Sequence, residues 1–95
     1  MYTLHATTSY IVSRDKVIGS QEIIKKRLRV ALEKLMMNPT HPSLKSHKVN
    51  TQYGVRWSSW VTGEIRLIWD YDKEQRSVIL LLAIGMHSGT HKIYK

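Results

Sequence analysis

Hydrophobic and polar positions change their period several times along the chain. Residues 2 to 6 alternate, with Tyr2, Leu4 and Ala6 against Thr3 and His5. That period of two predicts a short strand. Residues 7 to 19 carry no single period. Thr8 and Ser9 are placed to cap a short helix containing Ile11 and Val12, while Tyr10-Ile11-Val12 also suits a strand, and both readings stand. Gly19 and Ser20 interrupt the stretch. Ser20 then reads as a helix N-cap. Ile24, Leu28, Ala31, Leu32 and Leu35 follow at helical spacing and form one apolar stripe, with Glu22, Lys25, Lys26, Arg29 and Glu33 away from it. Asn38-Pro39 ends the helix, because a residue before proline is pushed out of the helical region.

After the helix the period returns to two. Residues 41 to 47 read as a loop anchored by Pro39 and Pro42. Val55, Trp57, Ser59 and Val61 alternate with Arg56, Ser58 and Trp60. Thr62-Gly63 marks a turn. Ile65, Leu67, Trp69 and Tyr71 alternate with Glu64, Arg66, Ile68 and Asp70. Asp72 to Gln75 turns again. Residues 77 to 84 are apolar on both faces, as a central strand is. Gly85 closes that run, and a polar tail with His87, His91 and Tyr94 follows. A strand, a helical region and a three- or four-stranded meander predict an α+β domain with helix packed on one face of the sheet. Antiparallel pairing through the Asp72–Gln75 turn sets residues near Arg66 against the low eighties, with residues 85 to 87 just beyond. A chain of 95 residues holds one core, hence one domain.

Charge adds what the pattern does not. Fifteen Lys and Arg stand against seven Asp and Glu, a net charge of +8. A fold does not require that excess; it points to a polyanionic partner, and for so small a domain to nucleic acid. Lys25, Lys26, Arg27, Arg29, Lys34, Lys45 and Lys48 crowd one region in which Glu33 is the acid. There is no Cys, which excludes disulfides, thiolate zinc sites and cysteine nucleophiles. No apolar run approaches the length of a membrane span. The start MYTLHATTSY shows no secretory signal, so the expected compartment is the cytoplasm.

A metal is not expected. His87 and His91 have helical zinc-site spacing, but Ser88, Gly89 and Thr90 between them do not favour a helix. A ribonuclease can work without a metal. RNA supplies its own nucleophile, the 2′-hydroxyl. The protein must accept that proton, hold a cation beside the phosphate and protonate the leaving 5′-oxygen. His suits both proton transfers, and Arg suits the charged phosphorane. Several His residues and Arg66, on the strand face opposite the apolar set, permit this chemistry. Ordinary roles are equally consistent with the residues. Lys25, Lys26 and Arg29 make a solvated helix face, His5 is a structural strand residue and His41 a loop residue. Arg66 has Glu64 and Asp70 as partners on its own strand face. Trp57 and Trp69 belong to the core. Trp60 points the other way, where it can stack a base, pack a helix or meet a partner.

The order of segments carries a resemblance. A helix, Asn38-Pro39, then His41-Pro42-Ser43-Leu44-Lys45-Ser46-His47-Lys48-Val49 resembles the RelE/ParE toxin superfamily of bacterial type II toxin–antitoxin systems. Ile65-Arg66-Leu67-Ile68-Trp69-Asp70 is similar to its arginine-containing strand. Ile79 to Gly85 is similar to its apolar last strand, and Gly85-Met86-His87 through Ile93-Tyr94-Lys95 to its C-terminal motif. The likeness covers about residues 20 to 95, and its His-containing pattern is most similar to the YafQ-like branch. It implies one RelE-like domain over residues 1 to 95, β-α-α-β-β-β, with an antiparallel sheet and helices on one face. It implies an mRNA interferase that acts at the ribosome, uses no cofactor and is silenced by a cognate antitoxin. Carried over by position, His87, His47, Arg66 and Tyr94 are the catalytic candidates. Lys45, Lys48, Trp60, His91 and Lys92 are the RNA-binding candidates. The chain departs from the pattern at Trp60, where the YafQ-like branch has another His, and at Glu64, where it has Asp. Ser58 and Ser59 or their neighbours replace lysines of the RelE branch. These departures keep a second implication open: a RelE/ParE fold without nuclease activity, acting by binding a protein of the gyrase type or binding nucleic acid without cleaving it.

Overall fold

A computed structural model describes residues 1–87. Its elements are β1 (Thr3–Ala6), α1 (Thr8–Val17), α2 (Glu22–Met37), a 3-10 turn (Pro42–Leu44), β2 (His47–Thr51), β3 (Gly54–Trp60), β4 (Ile65–Tyr71) and β5 (Val78–Met86). One sheet contains every strand, in the order β1-β5-β4-β3-β2. The predicted α+β class with helices on one face is what is observed.

Two details differ. The sheet is mixed, because β1 runs parallel to β5 while the other pairs are antiparallel. Where the resemblance implied three strands after the helices there are four, the larger number the pattern allowed, and the additional one is β2, beginning at the end of the stretch read as a loop. His47, Lys48 and Asn50 make β2 polar, as an exposed edge strand is, and polarity hid its period.

The open stretch resolves as helix α1. Its N-cap is Thr7, whose side chain accepts a hydrogen bond from the Tyr10 amide. Within α1 only Tyr10 is buried, so no apolar stripe announces it. α2 begins behind Gln21 rather than Ser20 and has no side-chain cap; Gly19, at φ 57°, and Ser20 are spent on the connection. Asn38 ends α2 in extended backbone, as the following Pro39 dictates.

The core lies between helices and sheet. Leu28, Ala31 and Leu35 of α2, with Tyr10, Ile18 and Leu44, pack on Ile65, Leu67, Trp69, Ile79, Leu81 and Ile84. Trp57 and Trp69 stack at 5.5 Å. The Trp69 indole can only donate, so its 2.8 Å bond makes Ser59 Oγ the acceptor. Ser46 has one hydroxyl proton and spends it on the Pro39 carbonyl, at 2.8 Å, so the Ser59 hydroxyl is the donor to Ser46 Oγ, at 2.6 Å. This directed chain lets a serine sit in the core and pins the segment leading into β2.

The register slips between Ile68 and Trp69, where Leu82 has no opposite residue. β1 stops at Ala6, opposite Leu81, which leaves β5 backbone groups beyond it without a ladder partner on that side. Hydroxyls of α1 and its cap take them up: Thr7 donates to the Leu81 carbonyl, Ser9 to the Leu82 carbonyl, and Ser13 accepts from the Ile84 amide. No helix among the described residues is long and apolar enough to cross a membrane.

Candidate nucleic-acid interface

One face of the sheet is covered by α1 and α2. The other carries the residues of interest, and the ladders fix their positions. Trp60 pairs with Arg66, and Arg66 with Gly85. Because alternate residues share a face, Trp60 and Arg66 belong to the face away from the helices. One row along, His47 pairs with Ser58 and Ser58 with Ile68, which places His47 on that face. One row the other way, the His87 amide donates to the Glu64 carbonyl at 2.8 Å, extending the ladder past β5. Arg66 thus meets Gly85 rather than the low eighties. The polar turn runs on to Ser77, and the bulge adds a residue, so the register moves toward His87.

Arg66 is 4% exposed. Its Nη1 donates to the carbonyls of Thr62 and Gly63, both at 2.8 Å, and its guanidinium lies 4.3 Å from the Trp60 ring centre. Lys45 Nζ is 5.1 Å from the same ring. The fold thus gathers Lys45, Trp60 and Arg66 into one cation–aromatic cluster. Lys45 reaches it from a backbone at φ 49°, a left-handed conformation unusual for a residue with a side chain. Asp70 is engaged elsewhere, by Arg56 at 3.2 Å.

His47 is exposed, and its Nδ1 lies 2.8 Å from the Lys45 carbonyl. A carbonyl only accepts, so Nδ1 carries the proton and the neutral ring presents Nε2 as its acceptor. His87 is also exposed. Counted along the ladder, His47 and His87 are three strands and two rows apart, about 20 Å between backbones, with Arg66 between them.

Lys48 stands apart. It pairs with Trp57 and lies 5.7 Å from that ring, on the opposite face from His47 and Arg66. His41 accepts the Ser43 amide through Nδ1 and caps the 3-10 turn. Tyr94, His91 and Lys92 lie outside the described residues. Among the described residues, no group of three or more His, Asp and Glu is placed to hold a metal. The Thr62 and Gly63 carbonyls that fix Arg66 are main-chain groups, and Thr62-Gly63 read only as a turn in the sequence.

No family model matches the sequence, and no curated protein matches it. Solved structures do match in fold. A YoeB/ParE toxin from Agrobacterium tumefaciens is 13% identical, with a TM-score of 0.70 over 90% of this chain and 99% of that one. YafQ from Escherichia coli is 12% identical, with a TM-score of 0.68 over 90% and 93%. The toxin–antitoxin complex RelBE2 from Mycobacterium tuberculosis includes a chain 19% identical, with a TM-score of 0.62 over 87% and 94%. The chain has the RelE-like fold these toxins share.

Proposed function

We propose that the chain is the toxin of a type II toxin–antitoxin system and cleaves mRNA by metal-independent attack of the 2′-hydroxyl, at the ribosome. The observation that carries this reading is the cluster of Lys45, Trp60 and Arg66 on the sheet face without helices, flanked by exposed His47 and His87 on opposite sides. In-line displacement needs a base and an acid on opposite sides of the phosphorus. Two inward-leaning imidazoles on either side of a phosphate beside Arg66 meet that need. His47, whose Nε2 is its acceptor, takes the 2′-proton. The 2′-oxygen bonds to phosphorus, the bond to the 5′-oxygen breaks, and His87 protonates that oxygen. The products are a 2′,3′-cyclic phosphate and a free 5′-hydroxyl. Arg66 stabilises the phosphorane charge, Lys45 and Trp60 hold the flanking strand, and Tyr94, His91 and Lys92 complete the contacts. Lys48, on the other face with Trp57, takes no part in holding this strand. The cognate antitoxin is the protein partner, as the RelBE2 complex of similar fold suggests.

One observation favours the second reading, a toxin of this fold that binds a protein without cleaving RNA. Arg66 is buried, and its Nη1 is already committed to two carbonyls of its own turn. Primer extension on translated mRNA after brief induction separates the two. New 5′ ends that appear only with the induced chain are expected. Growth arrest with intact transcripts would move the assignment to protein binding.

A further inference from the structure

A second cluster of polar side chains lies where the end of α2 meets the 3-10 turn. The chain folds back after Asn38-Pro39, which brings Ser43 against Lys34 of α2. His41 Nδ1 accepts the Ser43 amide at 3.1 Å, so that nitrogen carries no proton. The same Nδ1 lies 2.8 Å from the Ser43 hydroxyl, which must therefore be the donor. The Lys34 ammonium can only donate, and it gives a hydrogen bond to Ser43 Oγ at 2.9 Å. The protons thus point one way, from Lys34 to Ser43 to His41. The turn does not need all of this, because the imidazole and the amide cap it by themselves. A hydroxyl held between a base and a cation is the arrangement of an activated nucleophile. Ser43 is exposed, and it opens onto a groove of about 530 Å³ between α2 and the β3–β4 turn. Lys26, Arg27 and Lys34 line that groove, and among the described residues no carboxylate does.

We propose that Ser43 is a self-acylation site that takes its acyl group from a small anionic donor, an acyl phosphate. The phosphate end of the donor sits against Lys26, Arg27 and Lys34 and leaves its carbonyl carbon to Ser43 Oγ. The oxygen bonds to that carbon as its proton passes to His41 Nδ1. The bond from carbon to the phosphate oxygen breaks, and phosphate leaves with the electron pair. The imidazolium returns its proton to water, so the products are a Ser43 ester and inorganic phosphate. Lys34 stabilises the negative charge that develops on the reacting oxygens. As an ammonium it has no lone pair and does not take the acyl group itself. Two plainer uses of the cluster each leave part of it unexplained. A structural cap needs no ammonium on the hydroxyl, and a phosphate-binding loop needs no base on it. The cluster is distinct from His47, Arg66 and His87. The proposal does not rest on RNA cleavage, and its test reads no nuclease activity.

The probes are acetyl phosphate and the neutral ester p-nitrophenyl acetate, each incubated with the full folded chain. Mass spectrometry of the intact protein and of its peptides counts the acetyl groups and places them. Hydroxylamine strips acetyl from a serine ester and leaves lysine amides, so the labile fraction is the one scored. A labile acetyl at Ser43 is expected with both probes, and none in Ser43→Ala. His41→Asn keeps an acceptor oxygen to cap the turn and cannot take up the proton. It should slow labelling by both probes about 10²-fold, as loss of a general base does. Should that variant fail to fold, Lys34→Gln, which keeps a donor and loses the charge, takes its place with the same sign expected. Lys26→Gln combined with Arg27→Gln should slow acetyl phosphate at least about tenfold, the loss of a charge-assisted contact, and leave p-nitrophenyl acetate unchanged. Any of four results overturns the proposal. Labile acetyl spreads evenly over Ser43 and the other exposed serines; His41→Asn labels at the parent's rate; acetyl phosphate leaves a phosphoryl group on Ser43 in place of acetyl; or the groove substitutions slow both probes alike.

Discussion

His87 is the residue on which the nuclease reading turns. It follows a buried strand, is exposed, and is held by a backbone bond from its own amide to the Glu64 carbonyl. His87→Ala removes an imidazole and keeps that backbone bond. Cleavage measured by primer extension should fall by about 10²–10⁴-fold, the usual contribution of one general acid or base, while the melting temperature moves little. Wild-type cleavage by this variant would place the acid elsewhere, with His91 and Tyr94 next to be replaced. Ser59 makes the opposite prediction. It is 0% exposed and joins Trp69 to Ser46. Ser59→Ala strands a buried indole N–H, so it should cost about 1–3 kcal/mol, read as a lower urea midpoint at unchanged m-value. A midpoint equal to wild type would mean that the chain of bonds carries no net stability.

At the scale of elements, the β4–β5 turn has its own electrostatic signature. The Asp72 carboxylate accepts the amides of Glu74 and Gln75, at 2.8 and 3.0 Å. Those two bonds hold its pKa below the ordinary value. A depressed folded-state pKa means that the unfolded chain takes up protons first as pH falls. The stabilisation is complete above the unfolded value, about 4, and is lost as pH drops through the folded one. Asp72→Asn keeps an acceptor oxygen and cannot titrate. Urea midpoints of the two proteins should therefore run parallel near neutrality and converge or cross below about pH 4. Parallel curves throughout would show that the turn gains nothing from the charge.

The same scale explains what the sequence could reveal. α2 was legible because its stripe, Ile24 to Leu35, repeats over about three turns and Asn38-Pro39 closes it. β3, β4 and β5 were legible because the Thr62-Gly63 and Asp72–Gln75 turns separate clear periods. α1 was not, since its hydroxyls serve the β5 backbone beyond the end of β1 and only Tyr10 enters the core. β2 was not, because an edge strand needs no apolar alternation. At the site, the face of Arg66 and Trp60 followed from period two. The burial of Arg66 did not, because it depends on two carbonyls that no side chain announces. The position of Lys48 also required the register of β2, and only then does it fall opposite His47.

Over the whole molecule, the +8 charge is a long-range attraction for any polyanion, and its distribution decides where a strand settles. Lys45 sits with Trp60 on the open sheet face, whereas Lys48 sits with Trp57 on the other. Single-stranded RNA releases counterions for each phosphate neutralised, and the log–log dependence of affinity on salt steepens by about 0.7 per contact. The substitution at Lys45 must respect its backbone, φ 49°. Asn tolerates that left-handed region, so Lys45→Asn removes the charge without imposing strain. Lys48 is in an extended strand, and Lys48→Ala suffices there. Anisotropy titrations between about 50 and 200 mM salt should show the slope falling by about 0.7 for Lys45→Asn and staying at the wild-type value for Lys48→Ala. Equal slopes for the two variants would mean that RNA does not follow the open face. A flat salt response in the parent protein would reduce the charge excess to a feature of solubility.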